Sequence, residues 1–158
     1  MSRYAENTSV PVERSKAEIE STLSRYGADS FMHGWENNRA LIAFHAHGRR
    51  VRFVLPLPDR KDDKFWKTPS RGTRRSETQA YTAWEQECRQ RWRALALAIK
   101  AKLEVVECGI ATFEDEFLAH IVLPNTQTVG EYMHPQIEKA YKNGTMPRML
   151  PMLTAGAE

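Results

Sequence analysis

Long apolar runs are missing from this sequence. Nowhere do roughly eighteen uncharged apolar residues follow one another, so no membrane span is expected. The stretch from Met1 to Arg14 has no apolar core of the signal-peptide kind, so nothing directs export and a cytoplasmic setting is expected. Cysteine is scarce, with only Cys88 and Cys108. Both lie in one helical pattern, which would set them about 30 Å apart at about 1.5 Å per residue, far outside disulfide reach. Reduced thiols, which suit the cytoplasm, follow. No phosphate-cradling glycine loop, nucleophile elbow or H-E-x-x-H motif occurs, and there is no internal repeat. The sequence therefore points to no catalytic residues and implies no cofactor.

What is present is enough for one globular domain: 158 residues, 41% hydrophobic and 27% charged. The net charge of +3 is small but uneven. Between Asp59 and Arg75, seven basic residues (Arg60, Lys61, Lys64, Lys67, Arg71, Arg74, Arg75) face three acidic ones, a net +4, which leaves the remainder at −1.

Periodicity and capping signals divide the chain into a flexible arm (1–14), a single α+β domain (15–144) and an irregular tail (145–158). Ser15 with Glu18 reads as a capping box opening a helix over 16–26, closed by Gly27. Three strands follow at Ser30–Trp35, Arg39–His47 and Arg50–Leu57. A two-residue turn at Gly48-Arg49 would pair His47 with Arg50, His45 with Arg52 and Ala43 with Val54. Pro56 and Pro58 end the last strand, and 59–75 reads as a mobile basic loop. Ser76 with Gln79 opens a helix of about 32 residues, stopped by Gly109, whose apolar stripe contains Trp84, Cys88 and Trp92. Thr112 caps a short acidic helix from Phe113 to about Ile121. Thr128 with Glu131 caps another to about Asn143, before Gly144. The predicted order is α-β-β-β-α-α-α, a three-stranded antiparallel sheet with one long and two shorter C-terminal helices.

The basic groups nominate an interface. His45, His47, Arg50 and Arg52 would share one sheet face with Arg49 at the tip, a surface suited to phosphate oxygens. In the loop, Lys64, Phe65, Trp66 and Lys67 interleave cations with aromatics, as single-stranded nucleic acid requires. Arg71, Arg74 and Arg75 precede a helix N-terminus. His45 and His47 with His33 are the one candidate metal set, but the adjacent arginines would repel a cation, and no metal is expected. Glu114, Asp115 and Glu116 offset a helix dipole. The long stripe needs cover, which makes Trp84, Trp92, Arg89 and Arg93 a candidate partner interface and a homodimer through the long helix an expectation.

The element order resembles that of a double-stranded RNA-binding domain, with Arg74 and Arg75 where basic residues precede that fold's second helix. The lysine-rich helix start is absent, the long helix is about twice the usual length, and 59–75 is extra. Three stretches carry a second resemblance: V-P-V-E-R-S-K-A-E-I-E (Val10–Glu20), G-R-R-V-R-F-V-L-P-L-P-D (Gly48–Asp59) and W-E-Q-E-C-R-Q-R-W-R-A-L-A-L-A-I-K-A-K-L-E (Trp84–Glu104), with T-V-G-E from Thr128. They resemble a family of small proteins of tailed bacteriophages and prophages that has no established function. The resemblance implies a phage origin and a bacterial host cytoplasm, and transfers no active site. Two partner classes follow as expectations: nucleic acid or a nucleoprotein, and a host or phage protein complex, such as a host enzyme or defence complex that the chain would inhibit.

Overall fold

The computed structural model describes residues 5–146. Nine elements run in order: α1 (Val12–Arg25), β1 (Ser30–Glu36), β2 (Arg39–Ala46), β3 (Arg49–Pro56), α2 (Asp63–Trp66), α3 (Glu77–Glu107), α4 (Phe113–Phe117), a 3₁₀ turn (Leu118–His120) and α5 (Val129–Asn143). The predicted order holds, with one short helix added inside the basic loop. Most of the predicted tail, 147–158, and residues 1–4 of the predicted arm lie outside the described residues.

The first helix starts one turn before its predicted cap. Pro11 supplies the N-cap, and its carbonyl accepts from the Ser15 amide at 3.1 Å. Proline suits this position because its φ is preset and its missing amide would have no intrahelical partner. Ser15 is thus a fully buried residue of the first turn, and Glu18 reaches across to Arg93 instead of completing a capping box. Residues 5–11 are not loose either, since Gln86 on α3 donates to the Glu6 and Thr8 carbonyls.

The sheet is antiparallel in the order β1-β2-β3. The β2–β3 turn falls at His47-Gly48, both with positive φ (52° and 71°), and not at Gly48-Arg49. Left-handed geometry at both central positions matches the strand twist, and histidine tolerates it better than most residues. Register moves with the turn: His45 faces Arg50, Ala43 faces Arg52 and Leu41 faces Val54. A slip of two keeps the other strand side chains on their predicted faces, because the period is two, while His47 passes into the turn and Arg49 into the ladder.

Phe44, Ile42, Val51 and Phe53 from the sheet meet Ile19 and Leu23 of α1, Trp92, Ile99 and Leu103 of α3, and Phe113 and Phe117 of α4 in one core. Phe117 packs edge-on to both Phe44 and Phe53. The 31-residue α3, about 46 Å long, does not project bare. Residues 56–66 cover its first half, where Phe65 is buried and Trp84 Nε1–H donates to the Pro58 carbonyl at 2.9 Å. Farther along, Tyr26 bonds to Glu104, and Lys102 reaches the Glu116 carbonyl at 2.8 Å. Ser76 with Gln79 and Thr128 with Glu131 form the predicted capping boxes. The acidic helix is shorter than predicted: after Phe117 the chain tightens into the 3₁₀ turn, and Ile121 bridges to Val51. That bridge, with Val122 N–H donating to the Arg50 carbonyl, covers part of the outer edge of β3. Among the described residues, β1 has no strand on its outer edge.

Candidate nucleic-acid interface

Two groups of cations were expected to act together, and the structure treats them differently. On the outer sheet face, alternation brings His45, Arg50 and Arg52 together. His47 leaves this group: as a turn residue, it stacks on Phe113 with ring centroids 4.6 Å apart. Arg49, paired with Ala46, lies on the opposite face, 3.7 Å from Glu114. Carboxylates meet most of what remains. His45 Nδ1 lies 2.7 Å from Asp29, and Arg52 lies 2.6 Å from Glu131. The Thr128 backbone amide holds the Glu131 carboxyl below its ordinary value against the opposing effect of burial, with help from Arg52. Arg50 alone of the three has no ion pair among the described residues. Toward the Pro56 end the same face turns apolar, through Ala43, Leu41 and Val54. The hairpin cations and the 59–75 segment are therefore separated by an apolar stretch.

The 59–75 segment is folded. After α2 the chain doubles back as a small irregular hairpin: Arg75 N–H donates to the Trp66 carbonyl at 2.8 Å, Lys67 bridges Arg74, and Thr68 N–H donates to Thr73 at 2.9 Å. Gly72 turns it with φ 63°. Phe65 is buried against α3, out of reach of a ligand. Arg75 is structural, its guanidinium donating to the Lys64 and Phe65 carbonyls at the end of α2. Lys64 is tied to Glu87 at 2.8 Å. Burial would raise the Glu87 carboxyl, but hydrogen bonds from Lys64 and Arg91 outweigh it and hold the group below its usual range.

The rest form a site. Trp66 is half-buried, its Nε1–H donating to the Arg60 carbonyl at 3.2 Å, which fixes the indole plane. Beside it lies a hollow of about 350 Å³ lined by Asp63, Trp66, Lys67, Gly72 and Arg74. Lys67 is paired with Asp63 at 2.6 Å, but both side chains are largely exposed, and such a pair exchanges readily. Arg71 and Arg74, with Lys61 nearby in sequence, are exposed and have no ion pair among the described residues. An aromatic face flanked by an ammonium and a guanidinium can hold a planar ring and neutralise phosphate beside it.

The residues expected at a partner interface are engaged within the chain. Trp92 is buried, with Lys16 5.1 Å from its ring. Trp84 is half-buried beneath Pro58, Arg89 pairs with Glu85 at 3.2 Å, and Arg93 pairs with Glu18. His33 lies on the opposite sheet face from His45, so the three candidate metal histidines are not brought together. Sequence reading missed the carboxylates that quench the hairpin, because they come from distant elements. It also missed the hollow, which depends on the Lys67–Arg74 bridge. The pairing of cations around Gly72 was the one signal for it.

Neither a family model nor a curated protein nor a solved structure matches this chain.

Proposed function

We propose that this protein binds single-stranded nucleic acid at the Trp66 hollow, as a phage accessory protein acting in replication, recombination or expression. The observation that carries this reading is a positioned indole that shares a hollow of about 350 Å³ with Lys67 and Arg74, room enough for a base. The local net charge of +4, in a chain of +3 overall, supports it. Lys61 and Arg71 lie in the same segment and extend the positive surface along a strand backbone. The hairpin face contributes little, since Glu131 pairs with Arg52 and Asp29 occupies His45 Nδ1. Lys61, Lys67, Arg71 and Arg74 neutralising four phosphates would give a log–log salt slope of about −3.

Anisotropy of a labelled oligothymidine across a salt series tests this. Trp66→Ala should weaken binding by about tenfold to a hundredfold, the loss of one stacked base, with the slope unchanged. Lys67→Ala with Arg74→Ala should flatten the slope by about one to two. No binding at low salt, or a Trp66→Ala protein that binds as well as the parent, refutes the reading. A second reading, a module that docks on a host enzyme or defence complex, is favoured by the apolar side chains left exposed on β1 and the sheet beside it.

A further inference from the structure

The edge strand β1 is unprotected in a way that stable monomers avoid. Sheets blunt free edges with lysine, proline, bulges or a covering segment. Ser30–Glu36 contains no lysine or proline, and its pairing with β2 runs without a bulge. The opposite edge is the one that receives cover, from Ile121 and Val122. Two large apolar side chains stand exposed on β1, one on each face: Met32 at 64% and Trp35 at 80%.

We infer that β1 pairs antiparallel with β1 of a second copy about a twofold axis at His33, making a six-stranded sheet. Three observations select this occupant and this register. The two-residue turn at Asn37-Asn38 makes Glu36–Arg39 the hydrogen-bonded closing pair. By alternation, Phe31, His33 and Trp35 then direct their amides and carbonyls to the open side, so pairing centred on His33 uses the groups that are free. It also sets Phe31 opposite the second copy's Trp35, both on the core face, and Met32 opposite Gly34 on the outer face.

Met32 and Gly34 are complementary in shape. A hollow of about 320 Å³ lies at Gly34, with Leu41 and Val54 in its wall. A Cβ added at Gly34 would meet nothing within 4 Å among the described residues. Each copy thus offers one knob and one hole, exchanged by the axis, as an isologous interface requires. Charge agrees as well: Glu36 enters the row Ser30, His45 and Arg50 of the other copy, and neither Glu36 nor Arg50 has an ion pair among the described residues.

Sedimentation equilibrium of the full chain from low to high micromolar concentration tests this, alongside two variants. Gly34→Leu places a Cβ that meets no described atom within 4 Å and fills the hole, so it should raise the dimer dissociation constant by about tenfold or more. His33→Pro removes an amide that faces the open side and should abolish pairing. Circular dichroism is expected to show both variants folded. In a Cys108→Ser background, His33→Cys should form an intermolecular disulfide on mild oxidation, because residues at the axis face their own copies about 5.5 Å apart. A single monomer mass at every concentration overturns the inference. So does a dimer that persists unchanged in Gly34→Leu, because association must then use another surface.

Discussion

Ser15 shows how one residue can match a motif and play a different part. Its hydroxyl is fully buried and has no hydrogen-bond partner among the described residues. An N-cap serine replaced by alanine loses about 0.5–2 kcal/mol of stability. A buried hydroxyl without a partner instead carries a desolvation penalty of about 1–3 kcal/mol, which alanine removes. Ser15→Ala is therefore expected to leave stability unchanged or raise it by about 1 kcal/mol, read as a higher urea midpoint at constant slope. Thr128→Ala, which deletes a true cap whose oxygen accepts from Glu131 N–H at 3.1 Å, should lower the midpoint in the same experiment. A matching loss in both variants would show that Ser15 caps after all.

Elements were legible where local chemistry alone decides them. Ser76 and Thr128 opened helices as read, and Gly27, Gly109 and Gly144 marked ends with positive φ. The sheet faces were legible too, because a two-residue slip does not change which residues share a side. What escaped depended on partners remote in sequence. The reach of Glu131 to Arg52, of Asp29 to His45 and of Glu114 to Arg49 turned a predicted basic face into a largely neutral one. The compact fold of 59–75 escaped for a similar reason, since Phe65 needs α3 to bury it. Gly130 gives an element-scale test of such remote contact. Alanine for glycine in a helix ordinarily stabilises by about 0.5–1 kcal/mol. Here a Cβ would lie 2.9 Å from the Ala119 carbonyl oxygen, which is backbone and cannot swing aside. Gly130→Ala should instead destabilise by about 1–3 kcal/mol and lower the thermal midpoint, whereas Gly34→Ala, with open space around it, should not.

At the scale of the whole molecule, ion pairs stitch the elements together: Glu18 to Arg93, Lys64 to Glu87, Lys102 to Glu116 and Arg52 to Glu131. All are at least partly exposed, and each such pair contributes only about 0–1 kcal/mol. The shared core around Phe44, Ile99 and Phe117 carries the fold.

His120 is the group to watch. Its ring stacks on Phe53 at 3.9 Å, where burial first, and then the Lys102 ammonium, hold its pKa below the usual 6.5, against an opposing hydrogen bond with the Arg52 backbone. Above pH 6.5 the ring is neutral in both folded and unfolded chains, and its share of stability is fully present. As the pH falls below that value, the unfolded chain binds a proton that the folded one still refuses, so stability declines until the folded pKa is passed. A second decline should begin nearer pH 4.5, where Glu87 and Glu131, both held below their ordinary value, are favoured as carboxylates only in the folded chain. Urea unfolding at a series of pH values should show the first decline in the parent protein. His120→Phe keeps an aromatic ring against Phe53 and has nothing to protonate, so its stability should stay level across that upper window and fall only in the lower one. An unchanged decline in His120→Phe would mean that another group governs the upper window.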